Sequence, residues 1–213
     1  MSSALKLDTS APAPLPDRGR RLKDTESGLW SRRVLAGEFY VTGENEIIST
    51  VLGSCISVCM RDAQAGVGGM NHFMLPDEGN RVPTGAVDTG LSTRFGSYAM
   101  ESLINGLMVR GAVRNRLEIK IFGGAQILDS HAHIGDKNIH FVRNFLAVEG
   151  LQPIAQDLGD VVPRSVLYYP MSGRVRVKHL KPIESRVIAR EESAYLGEIA
   201  KRGNDGGDVE LFD

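Results

Sequence analysis

Short apolar or alternating runs between residues 34 and 75 predict closely spaced β-strands. Turn-forming residues separate the runs, as in hairpins or a meander: Gly43, Gly53, Asp62 and Gly66. Similar runs recur later in the chain, where Met171-Ser172-Gly173 predicts the turn of a hairpin. The predicted strands are 39–41, 46–52, 55–60, 66–75, 117–122, 151–158, 165–169 and 174–179.

Two other stretches change to the 3.6-residue period of an amphipathic helix. They cover 94–110 and 138–149, and Gly111 and Gly150 can end them. The apolar stripe of the first helix consists of Phe95, Ala99, Leu103 and Leu107, and Ser92 or Thr93 can cap the start of this helix. The apolar stripe of the second helix consists of Ile139, Val142 and Leu146. Strands and helices mix without regular βαβ alternation. The pattern therefore predicts an α+β fold, a compact mixed-sheet domain with two main helices packed on a β-sheet.

The ends of the chain predict flanking segments around this domain. Residues 1–29 are rich in proline and charge without periodicity, so we expect a flexible N-terminal tail. The domain is expected over 30–185, and 186–213 is expected to hold a polar C-terminal helix and an acidic-apolar tail. In that tail Val209 and Leu211 would share a face if extended, and we expect it to dock on a partner or on its own domain.

Composition, net charge and the length of apolar runs exclude several classes of protein. The 213 residues are 42% hydrophobic and 24% charged, close to globular averages, which excludes a disordered, collagen-like or coiled-coil chain. A net charge of −1 argues against nucleic-acid binding driven by counterion release. No apolar run reaches the roughly 18 to 20 residues of a membrane span. Since no secretion signal is visible either, we expect a cytoplasmic protein with reduced thiols.

Cys55 and His72 are the first candidates for chemistry. Cys55 follows Gly53 and Ser54 at the start of an apolar strand, where free backbone N–H groups can stabilise an oxyanion. His72 lies on a later strand, on the face of two methionines, and a short turn between the strands can bring it to the thiol as a base. Either residue could instead be a buried structural residue.

Cys59 is the second cysteine of the chain. Cys59 follows Cys55 by roughly 13 Å along an extended strand, which is too far for a disulfide, and we expect it in the core.

Ser49 and Thr50 carry hydroxyls on the preceding strand, and because strand side chains alternate, only one of them can face the site. Such a third polar group normally orients the histidine of a Cys–His pair. Each hydroxyl could also belong to an ordinary strand residue.

The histidines His131, His133 and His140 raise the question of a metal site. Gly135 indicates a loop rather than a strand there, and no CxxC or HExxH spacing is present. We therefore expect no metal and no cofactor. The segment 123–125, Gly-Gly-Ala, is too short for a phosphate-binding loop and predicts a close approach of two backbones.

Two motifs stand out among these segments: Leu-Gly-Ser-Cys at 52–55 and His-Phe-Met-Leu-Pro at 72–76. With the segments around them they resemble the CheD family of chemoreceptor glutamine deamidases, in order, from about residue 34 to residue 180. The matching segments are 52–59, 71–76, 120–125, 134–138 and the hairpin of 164–175.

The resemblance implies a cytoplasmic bacterial enzyme of chemotaxis that hydrolyses chemoreceptor glutamine side chains to glutamate and releases ammonia. It implies a fold similar to deamidating toxins and a catalytic Cys, His and Thr. Cys55 would be the nucleophile, His72 the base, and N–H groups near Gly53 and Ser54 would bind the oxyanion. The family spacing puts the threonine at Ser49, whereas Thr50 has the right identity one residue later, so both stay candidates.

Other functions stay open beside this one. The family also pairs with CheC-type phosphatases, so the chain could chiefly be a binding module that regulates such a partner. A thiol hydrolase of small molecules and a metal-dependent hydrolase are further alternatives. The presence of both Cys55 and His72 favours an active enzyme. Expected partners are chemoreceptor cytoplasmic helices and a CheC-type phosphatase, without nucleic acid or a membrane span.

Overall fold

The computed structural model of the chain describes residues 21–76, 91–127 and 133–204. These residues form ten strands, three helices and a short 3₁₀ turn at Arg114–Arg116. The strands are β1 Arg21–Lys23, β2 Trp30–Arg33, β3 Glu38–Thr42, β4 Ile47–Leu52, β5 Ile56–Asp62, β6 Val67–His72, β7 Glu118–Gly123, β8 Pro153–Leu158, β9 Arg164–Tyr169 and β10 Arg174–His179. The helices are α1 Leu91–Val109, α2 Ile134–Val148 and α3 Pro182–Asn204. Within the described ranges, no helix is long and apolar enough to cross a membrane.

The strands assemble into two five-stranded sheets. The first sheet has the order β1-β2-β4-β9-β10 and contains one parallel pair, β2 with β4. The second sheet has the order β3-β6-β5-β7-β8 and also contains one parallel pair, β7 with β8. The other neighbouring strands are antiparallel. Both sheets are therefore mixed, and together with the helices they confirm the predicted α+β fold.

Two apolar cores lie on opposite faces of the second sheet. The core that packs this sheet against α1 and α2 includes Val58, Met60, Leu103 and Val142. The core that joins the two sheets includes Leu52, Cys59, Met70 and Tyr168. Successive residues of β5 alternate between these cores because strand side chains point to opposite faces. The strand is thus buried on both sides, and the predicted core position of Cys59 is confirmed.

Both predicted helices are present, and both begin earlier than expected, α1 at Leu91 rather than at residue 94. α1 ends just before Gly111, whose φ of +90° suits glycine. α2 begins at Ile134 rather than at residue 138, and Gly135 in its first turn lies against the backbone of Gly124. A Cβ at Gly135 would stand 2.5 Å from the Gly124 carbonyl oxygen. Gly135 thus belongs to the helix rather than to the loop that it was expected to mark. Because α1 already includes Leu91, Ser92 and Thr93 lie within its first turn, and the prediction that one of them caps the helix was wrong.

Part of the predicted N-terminal tail forms a strand. β1 pairs with β2, and the turn between them is closed by Asp24, which accepts the N–H and the hydroxyl of Ser27 at 2.8 and 2.6 Å. An ion pair of 2.8 Å joins Glu26 to Arg176. Such polar interactions leave no hydrophobic period in the sequence. α3 likewise begins before the expected boundary at residue 186. Residues 1–20 and 205–213, with the predicted docking tail, lie outside the described residues.

Candidate active site

The segment 53–55 forms a turn between β4 and β5, and the end of β7 holds it in place. The Gly124 N–H donates to the Cys55 carbonyl oxygen at 2.8 Å. Gly123 has a φ of +115°, and a Cβ there would lie 2.0 Å from the same oxygen. Glycine is therefore required at this contact. The close backbone approach predicted for 123–125 is confirmed.

The N–H groups of the turn converge on one carboxylate, that of Glu192 on α3. Its Oε1 accepts the N–H of Gly53 at 2.9 Å and that of Cys55 at 3.2 Å. Its Oε2 accepts the Ser54 N–H at 2.8 Å and the Ser54 hydroxyl at 2.6 Å. Successive backbone N–H groups that point to one spot form an anion-binding nest. The turn thus offers an anion site where the sequence led us to expect one, and a carboxylate of the chain itself lies in it.

Strand pairing brings Cys55 beside His72. The residues that follow them, Ile56 and Phe73, exchange two backbone hydrogen bonds of 2.9 Å each. The Cys55 sulfur, a His72 ring nitrogen and a Glu192 carboxylate oxygen all lie within 4.8 Å of one another. The adjacency of Cys55 and His72 that the sequence predicted is therefore present.

Thr50 sets both the orientation and the tautomer of His72. The Thr50 hydroxyl donates to the Val34 carbonyl oxygen at 2.8 Å, and the same hydroxyl oxygen lies 2.8 Å from His72 Nδ1. Because a hydroxyl has one proton, Thr50 accepts from Nδ1–H, and the neutral ring carries its lone pair on Nε2. Nε2 is buried and has no hydrogen-bond partner among the residues that the structure describes. A lone pair of this kind is what a general base needs.

Ser49 lies on the other face of β4. The Ser31 hydroxyl donates to the Ser49 hydroxyl oxygen at 3.2 Å, and the Ser49 hydroxyl lies 3.4 Å from the Arg32 carbonyl oxygen. The expectation that only one of the two hydroxyls faces the site is therefore confirmed. Of the two candidates left open, Thr50 contacts the histidine, whereas strand alternation turns Ser49, which the family spacing indicated, away from it.

Burial opposes charge on both partners of the Cys–His pair. Burial raises the pKa of the Cys55 thiol well above its usual value, and the nearby Glu192 carboxylate raises it further. Burial lowers the pKa of His72 to about 4, although the Glu192 charge acts in the opposite direction. The resting pair is therefore a neutral thiol beside a neutral imidazole.

Asn138 on α2 is a site residue that the sequence analysis missed. Its Nδ2 donates to the Ser54 carbonyl oxygen at 2.8 Å, and its Oδ1 accepts the Leu75 N–H at 2.9 Å. Asn138 thus ties the turn to the segment that follows His72. The available signal was a polar residue on the buried stripe of a helix, four residues from both Ile134 and Val142.

Glu192 was missed for the same reason. It lies on α3 four residues from both Ile188 and Leu196, and all three side chains are buried. A carboxylate in the middle of an apolar stripe indicates a specific partner, because burying an unpaired charge is costly. Gly53 allows the contact, since a Cβ there would lie 2.8 Å from Glu192 Oε2.

The histidines that raised the question of a metal lie away from this cluster or outside the description. His133 and His140 are exposed, the first just before α2 and the second within it, and His131 falls in the undescribed range. Among described residues, Cys55, His72 and Glu192 are the group whose ligand atoms could hold a metal ion. Both carboxylate oxygens of Glu192 already accept hydrogen bonds from the turn.

Comparison with known proteins relates this site to a family. A family model described as CheD chemotactic sensory transduction matches residues 74–179. A probable chemoreceptor glutamine deamidase CheD of Hydrogenovibrio crunogenus is 51% identical over 189 residues, which are 89% of this chain and 97% of the relative. The chain belongs to the CheD family. This confirms the resemblance that its motifs indicated.

Two further comparisons show how far CheD membership extends along the chain. A probable chemoreceptor glutamine deamidase CheD of Hahella chejuensis is 41% identical over 214 residues and covers 100% of both chains. That alignment therefore includes Cys55 and His72, which precede the residues matched by the CheD family model. A crystal structure of the Bacillus licheniformis hypothetical protein YfiH aligns with 58% of this chain and 49% of its own at 14% identity, with a TM-score of 0.36, a likeness too slight to support an inference.

Proposed function

We propose that this CheD protein deamidates glutamine side chains of chemoreceptors, converting them to glutamate with release of ammonia. The names of its relatives support the substrate class. The observation that carries the chemistry is the placement of the Cys55 thiol within 4.8 Å of a ring nitrogen of a neutral His72. Thiol, base and anion-binding N–H groups are the parts that acyl transfer through a cysteine requires.

The first half of the reaction forms a thioester on Cys55. His72 Nε2 takes the thiol proton, and the sulfur attacks the carboxamide carbon of the substrate glutamine. The negative charge that develops on the carboxamide oxygen is stabilised by the N–H groups of Gly53 and Cys55, which bind this oxygen in place of the Glu192 carboxylate. His72 then gives its proton to the amide nitrogen, the C–N bond breaks, and ammonia leaves.

The second half hydrolyses the thioester. His72 Nε2 takes a proton from a water molecule, whose oxygen attacks the thioester carbon. The C–S bond breaks, the Cys55 sulfur is reprotonated by His72, and the product is a glutamate side chain. Overall, one carboxamide and one water give one carboxylic acid and one ammonia. The same nitrogen acts as base and as acid in each half, so the fixed tautomer of His72 matters throughout.

Thr50 serves this reaction as a positioning residue. Its hydroxyl oxygen accepts a hydrogen bond from Nδ1–H of His72 at 2.8 Å. Nε2 therefore lies on the opposite side of the ring, where it has no hydrogen-bond partner among the described residues. A buried imidazole gains a positive charge when it takes the thiol proton. The Thr50 oxygen, polarised by its own bond to the Val34 carbonyl, stabilises that charge through Nδ1–H.

A second function, regulation of a CheC-type phosphatase, belongs to the same proposal as a partner role. The two functions are compatible, because a partner could bind the protein while the thiol, the base and the anion site are retained. The complete set of Cys55, His72 and Thr50 favours an enzyme over a pure adaptor, for which these contacts have no physical use. We place the enzyme in the cytoplasm, on the side of the chemoreceptor signalling helices.

The test is incubation of the full chain with the cytoplasmic fragment of a chemoreceptor. Peptide mass spectrometry locates glutamines converted to glutamate, and an enzymatic assay measures ammonia. We expect equal amounts of both, and none with Cys55→Ala. Receptor peptides that stay unmodified with a folded wild-type chain would contradict the proposed function. A binding assay with a CheC-type phosphatase would then test whether the chain acts only as a binding partner of that phosphatase.

A further inference from the structure

Helix α3 is anchored at the active site by the carboxylate of Glu192. Its buried stripe consists of Ile188, Glu192, Leu196 and Ile199. The three apolar side chains need only an apolar surface, whereas the carboxylate of Glu192 needs donors once it is removed from water. The turn at 53–55 supplies four donors at 2.6 to 3.2 Å. The position of α3 is thus matched specifically to the anion site.

The group that α3 delivers is chemically the product of the proposed reaction. Deamidation leaves a glutamate carboxylate, and Glu192 places such a carboxylate next to Cys55. Each carboxylate oxygen faces two donors of the turn. A carboxamide in the same place would turn its NH₂ group toward donors of Gly53 and Cys55 or of Ser54. The site in this arrangement therefore fits a product side chain better than a substrate side chain.

The same helix closes the approach to the thiol. Cys55 is 0% exposed and His72 is 6% exposed. α3 lies tightly against the connection between β2 and β3, since a Cβ at Gly37 would stand 2.4 Å from the Tyr195 hydroxyl oxygen. The cleft beneath α3 is lined by Val34, Thr50, His72, Phe95, Glu192 and Tyr195. The Glu192 carboxylate occupies the N–H donors beside Cys55, so a substrate carboxamide can use these donors only after Glu192 has left.

We propose that α3 is an internal competitor of the substrate, which holds Glu192 in the place of the substrate side chain until a helical substrate segment displaces it. The surface beneath α3 already receives a helix bearing an acidic side chain, so the expected displacing segment is a second helix that carries a glutamine. This inference rests on the proposed function for the identity of the substrate. The covering of Cys55 by Glu192 does not depend on it.

The charge of Glu192 adds to the steric effect. Burial is the main reason that the pKa of Cys55 is raised, and the carboxylate beside it raises the pKa further. The thiolate is the reactive form of cysteine, so α3 keeps the nucleophile both covered and protonated. Departure of α3 removes both obstacles in one movement.

The first test measures the rate at which iodoacetamide alkylates Cys55 in the full chain, followed by peptide mass spectrometry. Glu192→Ala is expected to raise this rate by at least about tenfold, because the thiol loses both the contact that covers its turn and the neighbouring negative charge. Glu192→Gln, which keeps the side-chain volume, should raise it less and serves if the alanine variant does not fold. The exposed Arg190, on the same helix but outside the lining of the cleft, gives the control Arg190→Ala, which should leave the rate unchanged.

Alkylation of the buried Cys59 in the same samples reports global unfolding, since this thiol lies in the core between the sheets. A rise at Cys55 without a rise at Cys59 supports the proposal. Equal Cys55 rates in the wild type, Glu192→Ala and Glu192→Gln, all folded, would overturn it.

The second test measures deamidation of a receptor cytoplasmic fragment. Removing an internal competitor increases the fraction of open sites, so Glu192→Ala should lower KM and leave kcat nearly unchanged. If no chain deamidates the fragment while Cys55 alkylation still rises in Glu192→Ala, the proposed function fails and the covering role of α3 stands. If the wild type deamidates the fragment, and Glu192→Ala has the same KM and the same Cys55 alkylation rate as the wild type, the proposed function stands and the role of α3 is contradicted.

Discussion

Cys55 and Cys59 contribute to the same core but differ in what surrounds their backbones. Both thiols are buried, and burial is the main cause that raises the pKa of each above its usual value. Cys59 lies inside the strand ladder, between Met70 and Lys120. Cys55 precedes the ladder, in a turn whose N–H groups point to an anion site beside His72. The turn, rather than burial or strand face, therefore distinguishes the proposed nucleophile from the core cysteine.

The largest effect is expected from Cys55→Ala. Without the sulfur no thioester forms, and deamidation of a receptor fragment should fall by at least about 10³-fold, as with other covalent nucleophiles. The fold should persist, because one small side chain is shortened at the start of a strand. Ammonia release and the circular dichroism spectrum check the two parts. Activity at the wild-type level would show that this cysteine is not the nucleophile.

The next effect separates the two hydroxyls of β4. Thr50→Ala frees Nδ1 of His72, and kcat should fall by roughly 10- to 100-fold, a part of what general acid–base catalysis contributes. Ser49→Ala is the matched control and should leave kcat nearly unchanged. Thr50→Ser restores the hydroxyl and should recover most of the activity, which a merely structural role of the methyl group would not allow. Equal losses in Thr50→Ala and Ser49→Ala would contradict the assignment of Thr50.

A smaller effect is expected on the pH dependence of stability. Burial lowers the pKa of His72 from 6.5 to about 4 in the folded chain. As the pH falls from 6.5 toward 4, the unfolded chain binds a proton at His72 that the folded chain does not, so folding stability is lost over this window. His72→Gln should remove this part of the loss. The exposed His140 gives the control His140→Gln, which should keep it.

Urea unfolding at the two ends of this window measures the difference for each chain. The comparison between variants cancels the carboxylates that titrate in the same range. A His72→Gln chain that loses as much stability toward acid as the wild type would show that His72 is not held neutral by its surroundings.

The smallest effect on catalysis is expected from Cys59→Ala. The substitution shortens a core side chain and should lower the free energy of unfolding by about 1 kcal/mol, while kcat stays near the wild-type value. Urea unfolding and ammonia release measure the two quantities. A folded but inactive Cys59→Ala chain would reverse the comparison between the two cysteines.

The pairing of Cys55 with His72 could be predicted because it depends on local rules. Short turns between consecutive strands make them neighbours, and the two-residue period places side chains on known faces. The motifs around both residues pointed to the same chemistry. The choice between Ser49 and Thr50 could not be made, because alternation excludes one hydroxyl without telling which.

The contribution of α3 could not be predicted from local rules. Glu192 is 137 residues from Cys55 along the chain, and its contact depends on how a terminal helix packs on a finished domain. Asn138 poses the same problem on α2, where a buried amide ties two distant segments. In both cases a polar residue on an apolar stripe was visible in the sequence, but its partner was set by tertiary structure. β1 also escaped prediction, since polar contacts and backbone pairing form it.

The proposed mechanism requires that the Cys55 thiol attack the glutamine and carry a thioester. Hydroxylamine intercepts thioesters, so its addition during deamidation of a receptor fragment tests this claim directly. We predict that the modified glutamines then carry a hydroxamate, which peptide mass spectrometry identifies, at the expense of glutamate and with undiminished ammonia release. Glutamate formation that continues without any hydroxamate, at hydroxylamine concentrations that capture a model thioester, would contradict a covalent intermediate on Cys55.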